Sequence, residues 1–165
     1  MSHILIIGYG NPLRGDDGVG IRAAELLAGW DGVSPPQQTD ESEVIACQQL
    51  NIELTATISA VDRLILIDAS ATDEPGTLTE QTLTPTIPNQ GSNSLSHHLD
   101  ASGLLAAAQI LYGKAPPTTL FTISGRDFDY GEKLSPPVAA ALPGLLARVQ
   151  QLVAAAGTPP VETGG

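Results

Sequence analysis

The chain has 165 residues, 42% hydrophobic and 15% charged, which suits one globular domain with a real core and excludes a disordered or fibrous chain. Its formal net charge of -11 at pH 7 repels phosphate backbones and anionic bilayers, so neither nucleic acid nor membrane is an expected partner. The single cysteine, Cys47, excludes an internal disulfide, a zinc finger and an iron–sulfur cluster, each of which needs several thiolates.

At the N-terminus the apolar run Ile4–Ile7 follows no basic leader and falls far short of the ~20 residues of a spanning helix, so a cytoplasmic protein is expected. Rich in β-branched residues and closed by Gly8, this run predicts a strand buried on both faces. A helical pattern covers Val19–Trp30, a polar loop Ser34–Thr39, a weaker strand Val44–Cys47 and a second helix Ile52–Val61. Leu64–Ile67 is another continuous apolar run, ending before Asp68. The alternating Thr and Leu of Gly76–Thr82 predict a strand too close behind it for a crossover helix, hence antiparallel and at an edge. A polar loop over Pro85–Ser96 leads into a helix over Asp100–Gly113 and a strand over Thr118–Ser124. The Ala/Leu-rich stretch Pro136–Ala156 reads as a long helix with Ser135 as N-cap and Gly157 as its stop. Thr158–Gly165 reads as a frayed tail, which leaves one domain over 1–157. About five strands alternating with helices predict a single three-layer α/β/α sandwich around a mostly parallel twisted sheet.

The first strand runs into Gly8-Tyr9-Gly10-Asn11-Pro12-Leu13-Arg14-Gly15-Asp16-Asp17-Gly18-Val19-Gly20, a glycine-rich turn opening a helix. A dinucleotide-binding turn would want glycine where Leu13 stands, and two carboxylates at the helix start would repel a pyrophosphate. A Walker A loop would need a lysine that is absent. Helix capping is the plain role for Asp16 and Asp17. Asp68, however, closes an apolar strand and so belongs at the carboxyl edge of the sheet, where doubly wound folds bind ligands, and Asp17 should face the same crevice. His97 and His98 end a loop over that edge; alone they would be ordinary surface residues. Two carboxylates and an imidazole suit a borderline divalent cation such as nickel or zinc. No Gly-x-Ser-x-Gly elbow or His-Glu-x-x-His helix is present, and Cys47 reads as a buried apolar residue.

Over nearly its whole length the chain resembles the hydrogenase maturation proteases, the endopeptidases that trim the C-terminal extension of a [NiFe]-hydrogenase large-subunit precursor. The resemblance rests on Gly8–Gly20, on Leu64-Ile65-Leu66-Ile67-Asp68-Ala69, on Glu74-Pro75-Gly76-Thr77-Leu78, and on Asp127–Gly131 with Leu134-Ser135-Pro136. It implies that Asp17, Asp68 and His97, with His98 as the alternate, are the catalytic and metal-ligating residues, and that Asp16 is available as a base. It also implies nickel supplied by the substrate with no organic cofactor, and an aspartyl-type peptidase; nothing demands more than a monomer. Residues 45–54 depart from the Asp-Gly-Gly-Thr-like segment of many members, and Gln49-Leu50-Asn51-Ile52-Glu53-Leu54 is closer to members serving bidirectional, soluble-type hydrogenases. Two other functions compete: a non-catalytic nickel-binding or chaperone module for the same precursor, and a nucleotide-binding α/β protein.

Overall fold

The computed structural model describes residues 3–29, 42–85 and 100–157. Five strands, β1 (Ile4–Tyr9), β2 (Ser42–Cys47), β3 (Arg63–Ser70), β4 (Leu78–Leu83) and β5 (Thr118–Ser124), form one sheet in the order β2-β1-β3-β5-β4. The first four in that order run parallel, and β4 closes the edge antiparallel to β5, as its sequence position predicts. Four α-helices surround the sheet: α1 (Val19–Leu27), entered through a 3-10 turn at Gly15–Gly18, α2 (Leu54–Ser59), α3 (Ala101–Tyr112) and α4 (Pro136–Gly157).

The apolar strands alternate their side chains between two cores. Ile4, Ile6, Ile65, Ile67, Phe121 and Ile123 pack with Val19 and Ala23 of α1 and with α4 on one face. Leu5, Ile7, Leu64 and Leu66 pack with Ile58 of α2 and with Leu104, Leu105 and Ala108 of α3 on the other. Burial on both faces explains why these strands read as unbroken apolar runs. Helix α4 is long and apolar enough to cross a membrane by length and composition alone. Its Val138, Leu142, Leu145 and Val149 instead recur at three- and four-residue spacing and are buried against the sheet, as in an amphipathic core helix.

Element ends differ from the sequence expectation where local polar chemistry intervenes. Helix α1 stops at Leu27, before a left-handed Gly29 (φ 79°), and Trp30 lies outside the described residues. Helix α2 starts at Leu54 rather than Ile52, because the Asn51 side chain takes the Glu53 N–H into a turn (2.9 Å). Strand β3 runs past Asp68 to Ser70, so Asp68 sits within a strand rather than at its end. The segments 34–39, 86–96 and 158–165, read as loops and tail, lie outside the described residues.

Candidate active site

Two features of the sheet make a crevice at its carboxyl edge. The chain leaves β1 for β2 on one side and returns to β3 on the other, with α1 and α2 on opposite faces, so β1 and β3 flank a topological switch point. Their pairing ends at Gly8↔Ile67, and beyond it Asp68 pairs only with Thr122 of β5. The turn after β1 is then pressed onto this opening. A Cβ on Gly20 would stand 2.5 Å from the carbonyl oxygens of Ile67 and Tyr9, and one on Gly8 would stand 1.9 Å from that of Gly20, so α1 lies backbone to backbone on the sheet. Gly10, at φ 142°, brings the turn equally close to the Asp17 carbonyl, which a Cβ would approach to 2.0 Å.

The result is a cleft of about 360 Å³ that Asp17 and Asp68 share, walled by Tyr9, Asn11, Arg14, Gln48, Gln49 and Leu50. The Asn11 N–H donates to Asp17 Oδ2 (2.8 Å) and the Ala69 N–H to Asp68 Oδ1 (2.7 Å), and both acids are half-buried. Burial is the main cause that lifts the Asp68 pKa to about 6; the Ala69 N–H opposes it, the Asp17 charge adds to it, and a hydrogen bond from the Tyr9 hydroxyl opposes it. The same burial, with the charge of Asp68 next, pushes the Tyr9 hydroxyl well above the usual phenol range, so Tyr9 stays a donor at neutral pH. Like charges crowded into a half-buried cleft are what a divalent cation relieves, and oxygen donors fit one. Among the described residues no third His, Cys, Asp or Glu joins the pair, and His97 and His98 lie outside them.

No family model matches the chain, and no curated protein matches it in sequence. Solved structures do match. The hydrogenase maturating endopeptidase HybD from E. coli superposes with a TM-score of 0.75 at 25% identity, covering 94% of each chain. The chain is thus similar in fold, over nearly its whole length, to the hydrogenase maturation proteases. A solution structure of an endopeptidase from Escherichia coli gives a TM-score of 0.73 at 24% identity over 98% of this chain and 99% of the other. The [NiFe] hydrogenase maturation protease HycI from Thermococcus kodakarensis KOD1 shares the fold at a TM-score of 0.70, with 20% identity and 93% of each chain covered.

In this chain the second aspartate of the glycine-rich turn, Asp17, reaches the cleft, while the first, Asp16, does not line it. Asp16 is fully buried. Its Oδ2 accepts from the N–H groups of Arg126 (2.7 Å) and Asp127 (2.9 Å) and from the Ser135 hydroxyl (2.7 Å), and its Oδ1 from the Ser135 N–H (2.6 Å). Burial acts to raise its pKa, but the Asp127 N–H, both Ser135 groups and the Arg126 N–H outweigh that and hold it below the ordinary carboxylate value. Asp16 thus has both oxygens committed to the segment before α4 and does not line the cleft where it was expected as a possible base. Ser135 stands at the N-cap of α4 as expected, its carbonyl accepting the first helical bond from the Ala139 N–H (2.9 Å), while its hydroxyl serves Asp16.

Cys47 is half-buried at the end of β2, packed beside the second core rather than within it, and its carbonyl accepts from the Gly10 N–H (3.2 Å). It thus ties β2 to the signature turn, and the residues that follow it become the cleft wall. Tyr9, Arg14, Gln48 and Gln49 were not singled out by sequence as site residues. Their only signal was adjacency, to Gly10, to Asp16 and to the atypical segment after Cys47.

Proposed function

We propose that the chain is an endopeptidase that removes the C-terminal extension of a nickel-loaded [NiFe]-hydrogenase large-subunit precursor. The observation that carries this reading is the pair Asp17 and Asp68, converging from the turn after β1 and from β3 on one cleft at the switch point of a fold shared with the E. coli endopeptidase over nearly its full length. In this reading Asp17, Asp68 and His97, or His98 in its place, engage nickel that arrives with the precursor, and no organic cofactor takes part. A carboxylate-rich, incomplete donor set suits a metal carried by the substrate better than a resident zinc. Nickel bound to the precursor supplies positive charge near the scissile bond. The chain's own residues orient: the Asn11 N–H fixes Asp17, and the Tyr9 hydroxyl and the Ala69 N–H fix Asp68 toward the same cleft. Such an enzyme acts as a cytoplasmic monomer, and the Gln48–Gln49–Leu50 wall supports a soluble, bidirectional-type hydrogenase as the partner.

Incubation with nickel-loaded and nickel-free precursor, read by intact mass, tests this. Truncation only with nickel is the expected result, and Asp17→Asn and Asp68→Asn should each lower it by at least about a hundredfold while circular dichroism and melting stay close to wild type. Cleavage of the nickel-free precursor would overturn the metal gate. Retained binding of the precursor with no cleavage by the wild type would establish the chaperone function instead.

A further inference from the structure

We infer that Arg14 is a catalytic residue of this cleft, its guanidinium receiving the negative charge that develops on the scissile carbonyl oxygen. The inference rests on the endopeptidase reading and adds to it the group that meets the oxyanion.

Among the described residues, Arg14 is the one cationic residue that lines the cleft with Asp17 and Asp68. The chain has 7 Lys and Arg against 18 Asp and Glu, so a cation facing the acidic cleft is scarce. Arg148 grips Glu80 and Arg22 meets Glu25, whereas Arg14, like Arg63 and Arg126, has no ion-pair partner among the described residues, and of these three it alone lines the cleft. The backbone that carries it is fixed. Its own N–H donates to the Asn11 carbonyl (3.1 Å), its carbonyl accepts from the Asp17 N–H (3.1 Å), and it forms a parallel bridge with Gly131. The flanking Gly15 N–H and Leu13 carbonyl also bond Gly131, at 2.7 and 2.8 Å. The loop that sets Asp17 therefore also sets Arg14, and the Arg14 side chain is exposed, where a substrate strand can cover it.

Hydrolysis needs such a group. The water oxygen bonds to the carbonyl carbon and the C=O π pair moves onto oxygen. When that pair returns, the C–N bond breaks; one water proton ends on the amine nitrogen, and the acid proton is lost to solvent from the new carboxyl group. Two carboxylates already balance the charge of a divalent cation, so an additional anion in the cleft meets no net attraction from that set. The Arg14 guanidinium supplies the missing positive charge, and its planar fork matches an oxyanion and then the product carboxylate. Because the charge appears during reaction, the effect belongs in kcat.

The test compares wild type, Arg14→Gln and Arg14→Lys on nickel-loaded precursor for kcat and KM, and measures equilibrium binding of the nickel-free precursor, which is not cut. Expected for Arg14→Gln are a fall in kcat of about 10²-fold, in the range for removing one oxyanion donor, KM and binding within threefold of wild type, and partial recovery on adding guanidinium ion at concentrations that leave the wild type unaffected. Arg14→Lys should fall in between. Turnover of Arg14→Gln within threefold of wild type overturns the inference. So does a loss that lies wholly in KM and binding, which would make Arg14 an anchor for an acidic group of the precursor. A wild type that cuts no precursor overturns the endopeptidase reading itself, an outcome distinct from both.

Discussion

Replacing Asp16 by alanine strips a shared acceptor from three N–H groups and one hydroxyl, all in the segment between β5 and α4. Hydrogen bonds to a charged group contribute ~1.5–3 kcal/mol each and do not add fully, so Asp16→Ala should lose about 3 kcal/mol or more in urea unfolding. The pH dependence follows from its depressed pKa. The contribution of Asp16 is complete above the carboxylate's unfolded pKa and disappears as pH falls through the lower folded value. The stability gap between wild type and Asp16→Asn should therefore be constant near pH 6 and shrink in acid, below about pH 4, which urea midpoints at several pH values will show. A gap that widens in acid would contradict this. The sequence pointed to Asp68 because it directly follows an apolar run, and to Asp17 because it sits in the glycine-rich turn after β1. It hid Asp16, since its donors lie 110 to 119 residues away and no spacing announces them.

The contact between α1 and the sheet depends on the absence of two side chains. A Cβ on Gly20 has backbone oxygens on both sides, which cannot rotate away, so Gly20→Ala should cost about 1–3 kcal/mol or more and lower cleavage by tilting Asp17. Gly144 in α4 is the contrasting case: it is exposed and a Cβ there meets nothing within 4 Å. Gly144→Ala should stabilise by about 0.5–1 kcal/mol with unchanged turnover, measured by calorimetry and the truncation assay. The elements themselves were legible where the apolar run was continuous, as in β1 and β3. Their ends were not, because Tyr9 in β1 and Ala69 and Ser70 in β3 continue the ladder through backbone bonds that no apolar pattern marks. The edge strand β4 was readable from topology more than composition: its burial is slight, and the short link from β3 left no room for a crossover.

For the molecule as a whole, a net charge of -11 sets a self-repulsion that packing must overcome. Raising salt from about 0.01 to 0.15 M shortens the screening length from ~30 to ~8 Å, so the melting temperature should rise, by ~2–4 °C for each kcal/mol relieved. A flat or falling melting curve over that range would contradict a repulsive surface. The sandwich and the one-cleft arrangement were both readable from the sequence, because alternating elements fix topology and topology fixes where strand ends meet. The bond set around Asp16 has a further consequence, one of timing. Ribosomal synthesis delivers Asp17 and Asp68 early, but the N–H groups of Arg126, Asp127 and Ser135 that hold the neighbouring Asp16 arrive only once β5 and the start of α4 have been made. A nascent chain thus holds both cleft acids well before their frame can lock, and a fragment ending short of residue 126 is a protease in composition but not in geometry.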